Sequence, residues 1–249
     1  MIRQLLTMAA DERLVQGAGV PDWPERLRQL SRQARDPRLK AFYKAGTVSG
    51  DTPLSESPLM ALDFETTGLN PEGNGIVSIG MMPFSLRRIR MGESRHWVVR
   101  PREKLDSDSV VIHGITHGDI LNAPDLNQVL SAFLSAMAGH IMVVHHRGIE
   151  RPFLDAALRE RLGEGIEFPV IDTMELEARL HRRKPPGFFA RLRGHRPVSI
   201  RLDNSRSRYH LPFYSPHHAL TDALASAELL QAQVAHHFSP DTPVREFWR

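Results

Sequence analysis

Two acids in the spacing Asp63-x-Glu65 close the run Leu59-Met60-Ala61-Leu62-Asp63-Phe64-Glu65-Thr66-Thr67-Gly68-Leu69. The apolar lead and the closing glycine predict a buried strand. Alternate side chains of a strand share a face, so Asp63 and Glu65 point one way and Phe64 the other, into the core. Two neighbouring carboxylates at the end of a buried strand repel each other and lose hydration, a cost that a cation relieves. Oxygen ligands of this kind suit hard divalent ions, Mg²⁺ or Mn²⁺. A bare Asp-x-Glu also fits a solvated strand end; the Thr-Thr-Gly that follows and the acids downstream favour the metal-ligand reading. Those further groups are Glu150, in His145-His146-Arg147-Gly148-Ile149-Glu150, and Asp222, five residues after His217 in Ser215-Pro216-His217-His218-Ala219-Leu220-Thr221-Asp222.

The elements that must position these groups can be read from hydrophobic period and breakers. Residues 75–84 and 95–100 read as second and third strands of an antiparallel meander, with a turn at Pro71 to Asn74. A helix is expected from Asp125, with the stripe Leu126, Val129, Leu130, Phe133, Leu134 and Met137, stopped by Gly139. Ile141 to Val144 is a buried strand, followed by a helix from Pro152 to about Leu162. Pro169 to Thr173 is a short strand, and Met174 to Leu180 opens another helix. The last helix runs from about Ala219 to His236 and buries Leu220, Leu224, Ala227, Leu230 and Val234. A meander followed by alternating strands and helices predicts an α/β fold with a mixed sheet, antiparallel and parallel, flanked by helices.

The flanking segments differ in composition. Residues 1–56 are expected to form an N-terminal helical extension and linker, with helical composition at Glu12 to Val15 and Glu25 to Arg35 and a Gly/Ser/Thr/Pro-rich stretch from Gly46 to Pro58. This extension packs on the main domain or docks a partner, such as a polymerase or nucleic acid. Residues 239–249 read as a C-terminal tail. Between Arg179 and Arg208, ten Lys or Arg face the single acid Asp203. The basic insertion, about 179–210, is either a solvated irregular segment or a phosphate-binding flap, with Phe188 and Phe189 as stacking surfaces.

The whole chain has 249 residues, 41% hydrophobic and 24% charged, ordinary values for a globular protein with one substantial domain. It has no cysteine, which excludes disulfides, zinc–thiolate sites and thiol catalysis and suits a reducing, cytoplasmic setting. Neither a secretory signal nor an apolar run of roughly 20 residues is present, so no membrane span is expected. The formal charge is +3 and the pI about 9.6, a balance compatible with a polyanionic partner.

The segments D-F-E-T-T-G-L (63–69), I-H-G-I-T (112–116), H-H-R-G-I-E-R-P-F-L (145–154), I-D-T-M (171–174) and H-H-A-L-T-D-A (217–223), in this order, resemble the DEDDh exonucleases. These are the DnaQ-like, DNA polymerase III epsilon-type 3′→5′ exonucleases of ribonuclease-H-like fold. The resemblance covers residues 57–238. It implies that Asp63, Glu65, Glu150 and Asp222 hold two Mg²⁺ or Mn²⁺ ions. Asp63 would bridge both ions, and Glu65 and Asp222 would complete the first. His217 would accept a proton from the attacking water. It further implies that Thr66, Thr67, His113 and His145 contact the terminal nucleotide; for His113 a hydrogen-bonded turn residue is the alternative. One position departs from the family pattern: Glu150 stands where Asp is usual. Asp155, five residues later, would lie inside the helix.

The function implied is a metal-dependent exonuclease that removes 5′-mononucleotides from single-stranded or frayed 3′ ends of DNA, in proofreading or repair. Two alternatives stand beside it: trimming of RNA ends by the same chemistry, and a nucleic-acid-binding protein with a weakened site.

Overall fold

In the computed structural model of the protein, residues 19–102, 111–112, 115–181 and 198–249 are described. Glu12 to Val15, His113, and the basic run 182–197 with Phe188 and Phe189 lie outside them.

The sheet is built around β1 (Leu59–Thr66). β2 (Ile76–Ser85) pairs with it antiparallel, in a register that sets Asp63 opposite Gly80 and Glu65 opposite Ser78. Two short strands, β3 (Arg88–Ile89) and β4 (Arg95–Val98), share the outer edge of β2. Separately, β5 (Val111–Ile112) and β6 (Ile115–Thr116) pair antiparallel. On the other side of β1, β7 (Ile141–Val144) and then β8 (Val170–Asp172) pair in parallel. The order is thus β3-β2-β1-β7-β8, with β4 also on β2. The mixed sheet expected from the sequence is present.

The helices are α1 (Trp23–Gln33), α2 (Pro37–Ala45), α3 (His117–Asn122), α4 (Leu126–Met137), α5 (Arg147–Leu162), α6 (Thr173–His181), α7 (Leu202–Arg208) and α8 (Ala219–His237). Asp125 caps α4 in a reciprocal capping box with Gln128. Its apolar stripe covers one sheet face, where Phe133 lies 6.3 Å from Phe64 and 6.0 Å from Trp97, ring to ring. α8 covers the opposite face, the one that carries Asp63 and Glu65. At Gly80 of β2 a Cβ would collide with the backbone of Ala219 and Leu220, so only glycine lets the helix start descend this far onto the sheet.

Two local expectations change along the helices. α5 begins at Arg147, not Pro152, because His146 turns with a left-handed φ of 101° and the Asp172 carboxylate accepts the N–H of His146 and of Arg147. Of the stripe expected on α8, Ala227, Leu230 and Val234 are buried while Leu220 and Leu224 are half-buried; α8 also buries Ser226 and Gln233, because α6 and α7 pack against its far side.

Part of the basic insertion is built into the fold. Arg206 is buried and donates to the carbonyls of Ala225 and Pro212 and to Glu228. Arg208 reaches Glu177, a fully buried acid that also accepts from Tyr209 and Gln233. Arg179 pairs with Glu175. Arg206 and Arg208 tie α7 to α8 and α6, whereas the Arg179 pair lies within α6.

The flanks are also tied in. Trp23, Leu27, Leu39, Phe42, Tyr43 and Leu54 belong to the same buried core as β1, and so do Val244, Phe247 and Trp248. Residues 50–54 exchange backbone hydrogen bonds with residues 242–245, and Arg249 donates to the carbonyl of Val170 on β8 at 2.8 Å. Each such apolar side chain, fully buried, contributes about 1.5–3 kcal/mol, so both flanks are part of the folding unit.

Candidate active site

β1 ends with Asp63 and Glu65 on the face under α8, where Glu65 is buried. α8 begins just above them. His218 is its N-cap, with Nδ1 accepting the Thr221 N–H at 3.4 Å. The Asp222 N–H donates to the His218 carbonyl at 2.9 Å, which closes the first helical turn and aims the Asp222 side chain at β1. His217 precedes the cap in a left-handed conformation, φ 73°, and its N–H donates to Asp222 Oδ2 at 2.9 Å. The outcome is a triad in which one donor atom from each of Glu65, His217 and Asp222 lies within 4.8 Å of the others. His217 is exposed.

Glu150 comes from the first turn of α5 and is buried, with Oε2 lacking any hydrogen-bond partner. Burial, and then the nearby Asp172, raise its carboxyl well above the usual range. Burial raises Asp63 in the same sense, reinforced by Glu150, Asp222 and Glu65 in that order. Glu65 is pushed up to about 7 by burial and by Asp222. Four carboxylates from β1, α5 and α8 therefore share one region in which none is comfortable as a bare anion. An orphaned buried carboxylate oxygen beside a carboxylate–imidazole triad is a donor set that fits hard divalent cations.

Among the described residues, Thr66, Thr67 and His145 have structural partners. Thr66 Oγ1 donates to the Gly68 carbonyl at 2.7 Å. Thr67 donates to Asn74 and accepts the Gly75 N–H, so both threonines shape the β1–β2 turn beside the acids. His145 is held away from the carboxylates. Its Nε2 lies 3.0 Å from the Ile200 carbonyl and its Nδ1 2.8 Å from Thr173 Oγ1. A carbonyl only accepts, so Nε2 carries the proton. Burial lowers the ring to about 4, which keeps it neutral. Asp155 faces elsewhere, bound to Arg159 and to the Ile166 N–H.

Asp172 has a larger part than the sequence suggests. Besides the start of α5 it caps α6, accepting from Met174 and Glu175 at 3.0 and 3.2 Å. The Asp-Thr step before a helix signals the α6 cap. Nothing local signals the α5 cap, 25 residues upstream of Asp172.

Comparison with known proteins shows the family of the chain. The sequence model of an exonuclease family, RNase_T, matches residues 60–230. A DNA polymerase III PolC-type protein of Thermotoga maritima is 28% identical over 182 residues, 73% of this chain but 12% of that protein. The chain thus corresponds to about an eighth of the length of that relative. A DNA polymerase III subunit epsilon of Treponema pallidum is 28% identical over 177 residues, covering 71% of this chain and 76% of that one. Among solved structures, the nuclease domain of 3′hExo, a DEDDh family member bound to rAMP, superposes with a TM-score of 0.57 at 15% identity, over 72% of this chain and 92% of that one.

Proposed function

Since the chain belongs to the RNase_T exonuclease family, we propose that it removes 5′-mononucleotides from the 3′ ends of DNA. Divalent-metal dependence is general in this family. The observation that carries the reading is the gathering of Asp63, Glu65, Glu150 and Asp222 on three separate elements, with the exposed His217 beside them. The relatives named for DNA polymerase III favour DNA over RNA.

In this reading Asp63, Glu65, Glu150 and Asp222 hold Mg²⁺ or Mn²⁺, two ions in all. Bound there, the ions offset charge developing on the phosphate oxygens and lower the pKa of water. The chain's own residues do the rest. β1 and α8 fix the acids before substrate arrives, so little reorganisation is needed at the reacting phosphate. His217 takes the proton of the attacking water on the ring nitrogen that lies near Glu65 and Asp222. Thr66 and Thr67, at the mouth of the β1–β2 turn, support the terminal nucleotide. The extension before β1 offers a protein-docking surface, a polymerase being one such partner, and the setting is cytoplasmic. Among the described residues no helix is long and apolar enough to cross a membrane.

The test is a paired digestion of DNA and RNA of one sequence, each carrying a label at the 5′ end, with Mg²⁺, Mn²⁺ or a chelator. A ladder shortening from the 3′ end on DNA, dependent on the ion and lost in Asp63→Asn, is expected. Preferential shortening of RNA would move the substrate assignment to RNA. Cutting unaffected by the chelator would overturn the metal assignment.

A further inference from the structure

Asp63, Gly80 and His96 lie in one row across three strands. Gly80 is the register partner of Asp63 on one side and of His96 on the other. Direct cross-strand partners share a face, so all three meet α8. The first peptide of α8 rests on Gly80, where no Cβ could fit. Beside it the His96 ring faces the ring of His218, with centroids 4.9 Å apart and planes tilted by 35°. His96 is itself fixed, its Nε2 lying 2.8 Å from the hydroxyl of Ser78, which is buried and is the register partner of Glu65. His218 in turn is the N-cap whose carbonyl and Nδ1 organise the turn that carries Asp222. A chain of contacts therefore runs from Ser78 through His96 to His218 and on to Asp222.

We propose that His96 is a positioning residue for the catalytic centre: with Gly80 it forms a seat on the sheet that holds the first turn of α8, so that Asp222 and His217 stand over Asp63 and Glu65. The inference rests on the metal-dependent reading above and adds a residue to it. His96 itself touches neither substrate nor ion. Through His218 it sets where two of the groups stand, and displacement of such groups by about an ångström costs on the order of 10²-fold in rate. Residues that orient metal ligands from behind are typically worth about 10–100-fold in metal affinity.

The full-length protein, His96→Ala and His96→Phe are compared in three measurements: Mn²⁺ binding by electron paramagnetic resonance without substrate, steady-state hydrolysis of a single-stranded oligonucleotide, and thermal unfolding. His96 is exposed on a short edge strand, so its truncation leaves the core intact. For His96→Ala the expected result is Mn²⁺ affinity lowered about tenfold or more and a fall in kcat of at least that size, with KM and the unfolding midpoint nearly unchanged. His96→Phe keeps a flat ring against His218 and is expected to recover most of both losses. Unaltered Mn²⁺ affinity in His96→Ala would overturn the proposal. So would a loss confined to KM, which would make His96 a substrate contact, and so would a Phe variant as impaired as the Ala variant. A wild-type protein that neither binds Mn²⁺ nor hydrolyses would instead refute the metal-dependent reading.

Discussion

The backbone N–H of His217 donates to Asp222 Oδ2 at 2.9 Å, so one carboxylate both faces the other acids and folds the histidine loop back over them. Asparagine at this position keeps an oxygen that accepts the same hydrogen bond and loses only the charge. Asp222→Asn should therefore retain the loop and lower kcat by roughly 10²-fold or more. Asp222→Ala should lose the loop as well and show altered resonances at His217 in NMR. Equal perturbation of His217 in both variants would contradict this division.

Asp63 pairs with Gly80 in the sheet and carries a carboxyl that burial and three acids push upward. Asp63→Asn removes a repelled anion from the metal-free protein. The expected outcome is complete loss of hydrolysis together with an unfolding temperature, in chelator, equal to or above that of the wild type. A marked drop in that temperature would show that the charge supports the fold.

The raised carboxyls also set a pH dependence. Glu65 binds its proton up to about pH 7 in the folded protein, whereas an unfolded Glu releases it near about 4.3. Between these values the folded state holds more protons, so metal-free stability falls as pH rises through the window. Asp63 and Glu150 act in the same direction. Unfolding followed at about pH 5 and about pH 7.5 should show the lower midpoint at the higher pH in chelator. Saturating Mn²⁺ should remove the difference, because it favours the ionised carboxylates. A midpoint in chelator that rises with pH would contradict the shared burial of these acids.

The tandem histidines should separate. His217→Ala should lower kcat by roughly 10²-fold, the scale of a lost general base, with Mn²⁺ still bound. His218 caps α8 and lies against His96. His218→Ala should cost about 1 kcal/mol of stability and lower Mn²⁺ affinity, with a much smaller loss of kcat at saturating metal. A larger loss of kcat in the His218 variant than in the His217 variant would exchange the two roles.

Trp23 lies 36 residues before β1 and is 3% exposed, under the Arg151 guanidinium, which also faces Phe168. Trp23→Ala should destabilise the protein by about 3–5 kcal/mol, measured by denaturant unfolding as a single transition. A separate early transition, or no change, would make α1 and α2 an independent appendage.

The sequence by itself determined the parts that depend on local period and local chemistry. The apolar run before Asp63 specifies β1, and the two-residue period of a strand puts Asp63 and Glu65 on one face. The stripe from Leu126 to Met137 specifies α4, and the five-residue spacing from His217 to Asp222 places both at the start of α8. Motif order carried the family resemblance. Tertiary structure decided whatever depends on contacts between distant segments. His145 sits in a conspicuous motif, yet it turns inward because Thr173 and Ile200, far along the chain, offer its ring nitrogens partners. Basic composition suggested an open loop, but Arg206 and Arg208 are buried or paired because Glu228 and Glu177 reach them from other helices. Asp172 caps two helices, and Gly80 admits the start of α8, only because the sheet brings those ends together. A single sequence specifies backbone period within a few residues. The partners of a buried polar group are fixed only when the chain has closed over them, because burial without a partner is costly and the fold must supply one.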